Sequence, residues 1–442
     1  KCAFSSTPIT SVNIPSSLKR LEASAFSNCS SLQMQITLPN GIEEIESHVF
    51  TDSKVYGTLI IPSSVTTLDQ YAFSGTKIER AELNAPIKLL KYTFANCPNL
   101  TEVVLCEGVE SLENTFSGCE LLVSASIPST VTEINGAFSG CKSLESVVLP
   151  SALSTIGPST FFGCTALKSI NVPNSVTSIG SGAFRNCSSL AALTIPNTVS
   201  TIGDYAFAGM SSIKELVIPS SVTSIGEYAL SGCVSLEKLT LPHIKKGIFE
   251  GNGQGLFYAF DYQVGMQTAE GNGGVRYCWP TALKEITITS SDICEVALAG
   301  STALQKVTVS CEEISIPTGA FSGCQASTFT LDGKLVSIGA RAFQASKLST
   351  LSVKEWAADT ISSYAFASTT SLTSFTVPST VTTIERDAFT FSGLTSLTFE
   401  SPLDWTVVNN DGEAQAIALL NPTNNATYAS STYGNYTWKK AQ

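Results

Sequence analysis

Cysteine is the residue type whose abundance most invites a chemical reading. Thirteen occur in 442 residues and could serve as metal ligands, redox pairs or nucleophiles. A metal site needs thiolates or imidazoles at fixed tetrahedral spacing. The chain offers no CxxC pair and only two histidines, His48 and His243. Neither stands in an HExxH setting, and no GxSxG elbow occurs. The acidic pairs Glu43-Glu44 and Glu312-Glu313 read as solvated charges. Gly251, Gly253 and Gly255 resemble a nucleotide loop only loosely, since no GK[ST] follows them. The residues therefore predict no catalytic site, no metal and no cofactor. An odd cysteine count also leaves at least one thiol unpaired within the chain.

Position explains most of the cysteines. Cys29, Cys97, Cys119, Cys141, Cys164, Cys187, Cys233 and Cys324 each sit three residues after a recurring Phe or Leu. In other repeats the same place holds Ser53, Thr76, Met210, Ser346 or Thr369. Interchange with Ser and Thr fits a small buried site better than a ligand set.

The recurring residue sets the period. Phe4, Phe26, Phe50, Phe73, Phe94, Phe116, Phe138, Phe161, Phe184, Phe207 and Leu230 follow at intervals of 21 to 24 residues. Leu298, Phe321, Phe343, Phe366 and Phe389 resume the series after a gap. Such a period marks a stacked solenoid. One unit runs IGSGAFRNCSSLAALTIP from Ile179 to Pro196. Its alternating end, Leu193 to Ile195, predicts a half-buried strand that Pro196 stops. Val199 and Ile202 turn inward again, Gly203 loosens the backbone for the next corner, and Phe207 fills the wide end of the coil. A mainly β repeat solenoid follows, a right-handed coil of turns of about 23 residues. A long parallel sheet should occupy one face, with short strands or 3-10 turns opposite. The connections are too short and too rich in Ser, Gly and Pro for full helices.

Composition agrees. Hydrophobic residues make up 43 % of the chain and charged residues 14 %, which excludes disorder. A net charge of -11 and a pI near 4.8 argue against nucleic acid as a partner. No apolar run is long enough to cross a membrane as a helix.

The units VPNSVTSIGSGAFRNCSSLAALTIP (172–196) and IPSSVTSIGEYALSGCVSLEKLTLP (218–242) are close to one repeat signature. Over residues 1–401 the chain resembles BspA-like leucine-rich-repeat proteins, also described as the treponemal class. The resemblance implies a surface or secreted protein that adheres to host or microbial partners, so the expected location is extracellular or at the cell surface. The expected ligand is a protein or glycan; the alternatives are a structural spacer of the cell envelope and an intracellular protein-interaction scaffold. The start at Lys1 reads as processed or trimmed.

Residues 243–282 break the pattern with a Gly- and aromatic-rich insertion, and 402–442 leave it again as a cap or junction. Tyr258, Tyr262, Tyr277 and Trp279 of the insertion are candidate ligand contacts, unless they pack down to seal the stack. Lys168, Lys214, Glu215, Glu237, Lys238, Lys284 and Glu285 vary over the constant core and are candidates too, unless they serve only solubility. The outward strand position runs Asn13, Thr37, Ile60, Glu82, Val104, Ser126, Val148, Asn171, Thr194, Val217 and Thr240, then mostly Thr. Threonine suits an exposed strand.

Overall fold

The computed structural model describes residues 1–242, 266–270, 276–280, 282–293, 295, 297–419 and 421–440. Contacts divide the chain into two units, 1–216 with 221–234 and 217–220 with 235–442.

In the first unit short parallel strands of successive turns stack into sheets, of which two are the longest. Tyr56–Ile61, Lys77–Leu83, Glu102–Leu105 and Ser124–Ser126 form one. The other stacks Leu89–Lys91, Ser111–Glu113, Glu133–Asn135, Thr155–Ile156, Ser178–Ile179, Thr201–Ile202 and Ser224–Ile225. Ile134, Ile156, Ile179, Ile202 and Ile225 stand in register, all buried. No single turn could bury that set, but a stack of turns does.

The phenylalanines form a column from Phe4 to Phe207, with ring centroids 5.2 to 6.1 Å apart. Backbone bonds hold each corner to the next: Asn114, Phe116 and Gly118 donate N–H to Asn135, Ala137 and Ser139 at 2.7, 2.9 and 2.6 Å. Left-handed residues two places either side of each Phe make this possible, as at Asn114 (φ 49°) and Gly118 (φ 75°). That conformation is costly for a bulky residue. His48, Tyr71 and Tyr92 nonetheless adopt it and stack on one another at 4.8 and 4.6 Å.

Gly203 plays a different part from the one expected of it. The left-handed corners fall at Tyr205 and Gly209. At Gly203 the backbone of the preceding turn comes so near that a Cβ would lie 2.5 Å from the Ser181 nitrogen. Gly180 is likewise 2.6 Å from the Pro158 nitrogen on the same measure. Close approach, not conformational freedom, selects glycine there.

In the second unit, Lys238–Leu241, Glu285–Ile288, Lys306–Ile316 and Thr328–Ile338 pair in parallel. The last two are each eleven residues long. There the two short strands of a normal turn run on as one, with register shifts between Ser310 and Glu313 and between Ile314 and Ser315.

Beyond residue 401 the chain turns antiparallel. Trp405–Val408 pairs with Ala414–Ala416 and with Thr437–Lys440. Thr437–Lys440 also pairs antiparallel with Thr383–Ile384, and Trp405 and Trp438 are buried. A short helix, Pro422–Thr427, starts at Asn421, whose side chain accepts the Thr423 and Asn424 N–H groups.

Candidate functional site

Alternation sends every second residue of a strand to solvent. In the first unit this draws Ile60, Glu82, Val104, Ser126 and Val148 into one outward line, each in register with the next. Val148 is 81 % exposed and Ile60 48 %. Leu121 and Val123, earlier on the Ser126 turn, add a further 50 % and 47 % exposed apolar pair. The Val123 N–H donates to the Thr101 carbonyl, and its own carbonyl accepts the Glu145 N–H. Backbone bonding to both neighbouring turns therefore holds Val123 in place with its side chain exposed.

Ion pairs accompany the apolar residues on the same turns. Arg80 bridges Glu82 and Glu102. Lys142 meets Glu120 at 2.7 Å, and Lys168 meets Glu145 at 2.9 Å. Exposed apolar residues among polar ones are the anatomy of an interaction surface.

The predicted charged residues separate into groups. Lys168 belongs to the charges just described. Lys214 and Glu215 are exposed in the first unit, with no ion pair to another described residue. In the second unit Lys284 faces Glu237 at 3.7 Å and Lys238 faces Glu285 at 3.6 Å. Those four knit neighbouring turns together, across 47 residues of sequence. Exposed pairs of this kind add little stability and are screened by salt.

Of the aromatic candidates, Tyr258 and Tyr262 lie outside the described residues. Tyr277 and Trp279 belong to a hairpin in which Met266–Glu270 runs antiparallel to Arg276–Pro280. Their backbones pair with Ala269 and Gln267. Sequence reasoning passed over Leu121 and Val123. Their signal was an apolar residue where the next turn carries Ser143 and Glu145.

The eight column cysteines are buried free thiols. Cys119, Cys141, Cys164 and Cys187 each donate S–H to the Phe carbonyl of the preceding turn, at 3.0 to 3.2 Å. Where Ser53, Thr76 or Thr369 takes the place, its hydroxyl donates to the Phe carbonyl of its own turn, at 2.6 to 2.8 Å. Either group satisfies a buried carbonyl. The Ser346 hydroxyl, in the same column, has no partner among the described residues. Burial pushes the Cys164 and Cys233 thiols up to about 12, far from a reactive thiolate. Among the described residues no group of three His, Cys, Asp or Glu could hold a metal, and no helix is long and apolar enough to cross a membrane.

The family model for the BspA type leucine rich repeat region matches residues 1–115, 33–138, 135–254 and 281–409. No curated protein matches the chain. Among solved structures, a leucine-rich repeat protein from Bacteroides ovatus is 21 % identical over 89 % of this chain and 73 % of its own, with a TM-score of 0.36. The leucine-rich repeat protein of T. pallidum is 27 % identical over 44 % of this chain and 82 % of its own, with a TM-score of 0.34. A leucine rich cell surface protein from Faecalibacterium prausnitzii is 20 % identical over 84 % of this chain and 88 % of its own, with a TM-score of 0.32.

Proposed function

The chain belongs to the BspA-type leucine-rich-repeat family, and from that premise we propose that it is a non-catalytic recognition protein, secreted or held at the cell surface, that binds a protein or glycan of a host or another microbe. The observation that carries this reading is the outward line of the first unit. There Ile60, Val104 and Val148 stay exposed where a plain sheet would present threonine, and Leu121 and Val123 widen the apolar surface. Water contact with these side chains is unfavourable, and a partner that covers them recovers that free energy. Lys168, with Glu145, and Lys142, with Glu120, supply charged neighbours that orient a partner more than they tighten it.

Binding of the intact chain to host cells and matrix proteins, compared with a folded variant lacking Gly247–Pro280, tests the assignment. Binding should survive the deletion. Its loss with the repeats still folded would move recognition to Tyr258, Tyr262, Tyr277 and Trp279. Failure of both forms to bind would favour a structural spacer of the cell envelope.

A further inference from the structure

The second unit contains a break in its sheet that the proposed function does not use. The strand Thr350–Trp356 pairs with Thr328–Ile338, and Ser374–Val377 pairs with Ser396–Phe399. Between these two pairs no strand ladder forms among the described residues. Elsewhere on the same turns stacking is intact. Ile338, Ile361 and Ile384 remain in register, and Phe343, Phe366 and Phe389 stack at 5.3 Å. The turns are therefore splayed like a wedge, closed at the phenylalanine column and open on the sheet side.

The opening holds about 670 Å³, within the range of ligand sites. Leu351, Val353, Trp356 and Phe375 line it and are only half-buried. Their counterparts on neighbouring turns, Phe329, Leu331 and Leu397, are fully buried. The Trp356 ring meets Phe375 edge-on at 6.0 Å, and its indole N–H donates to the Ala358 carbonyl at 3.1 Å.

We propose that this cleft binds an extended peptide segment carrying a basic residue, by taking it in as a strand between the two edges. Each wall is the free edge of a strand, with N–H and C=O groups aimed across the gap. The chemistry that matches such a row is another extended backbone. Leu351 and Val353 alternate along one wall and offer contact to every second side chain of the guest. Charge fixes the remaining preference. Glu400 lines the cleft and accepts the Ser379 N–H at 2.8 Å, with no cation at ion-pair distance among the described residues. Lys354 is already paired with Asp332 at 3.1 Å. The unneutralised charge in the cleft is therefore negative, and a guest Lys or Arg complements it.

The test uses the full chain and the fluorescein-labelled peptide KTVTVTK, read by fluorescence polarisation. Saturable binding is expected. Methylating alternate backbone nitrogens of the peptide should weaken it at least tenfold, because those amides can no longer donate to the strand edges. Glu400→Gln should weaken KTVTVTK several-fold and leave TTVTVTT unchanged. Absence of saturable binding would overturn the proposal, as would equal affinity for the methylated peptide. Saturable binding of an oligosaccharide panel without peptide binding would assign the cleft to glycans and also overturn it. A dimer that forms with rising concentration and is abolished by Val353→Lys would assign it to a second copy instead.

Discussion

Replacing Gly203 with alanine tests the stacking geometry at one atom. The added methyl would sit 2.5 Å from the Ser181 nitrogen, 2.8 Å from the Gly180 carbonyl carbon and 2.9 Å from the Ser181 Cα. Comfortable contacts lie near 3.5–4.0 Å, so the two turns must part by about 1 Å. All three contacts are backbone and cannot rotate away. Overpacking of this kind costs about 1–3 kcal/mol, and the stiffer unfolded chain returns about 0.4–1 kcal/mol. A net loss of about 1–2 kcal/mol is expected, since three backbone contacts put the overpacking cost in the upper part of its range. Gly182→Ala supplies the internal comparison. That residue has φ +62°, but its nearest neighbour to a Cβ is the Ser159 hydroxyl at 3.7 Å. Only the left-handed conformation is penalised there, by about 1 kcal/mol after the same entropic return. Urea unfolding at 25 °C, followed by far-UV circular dichroism, should rank Gly203→Ala as the more damaging. Equal midpoints, or the reverse order, would refute close backbone approach as the reason for glycine.

Other consequences follow from the columns and from the C-terminal strands. Phe138→Ala removes a fully buried ring stacked at 5.7 Å on both sides, and should cost about 3–5 kcal/mol in the same assay. Native protein titrated with a thiol reagent should label Cys2 readily and the eight column cysteines only after denaturant is added. Raising the pH to 9.5 should not release Cys164 or Cys233, whose folded thiols ionise only near 12. Because unfolded thiols ionise nearer 9, these two groups make the folded chain lose stability as pH climbs from about 9 towards 12, and contribute no pH dependence below that window. Deleting residues 402–442 would uncover the Thr383–Ile384 edge and the apolar surface now against Trp405 and Trp438. A lower melting temperature and concentration-dependent aggregation are expected, measured by calorimetry and light scattering.

The parts of the fold visible in the sequence are those where one residue type returns at one period. Phe138 and Cys141 could be placed in buried columns because their counterparts 22 and 23 residues away are alike. Gly203 reads in the sequence as a loosened corner, whereas its purpose depends on Gly180 and Ser181, one turn back, which the pattern does not place beside it. The wedge between Thr350–Trp356 and Ser374–Val377 left no trace, since Leu351, Val353 and Phe375 all satisfy the strand pattern. Pattern reports which side chains point inward; it does not report whether adjacent turns close over them. Val104 and Val148 were legible as outward strand positions but not as contacts, because the Thr that recurs in that line reads as plain sheet maintenance. Glu237 and Lys284 drew notice as variable charges, yet their pairing across the insertion depended on how turns on its two sides meet.

Recognition by the outward sheet face is tested most directly by the triple variant Leu121→Thr, Val123→Thr and Val148→Thr. All three side chains are exposed, Leu121 and Val123 ahead of the strand Ser124–Ser126 and Val148 at a bridge to Ser126 where threonine is well suited, so the melting temperature should hold. Surface plasmon resonance against the matrix or cell-surface protein that the intact chain captures should then show at least a tenfold loss of affinity. Unchanged affinity in a variant that is folded and equally stable would contradict the account.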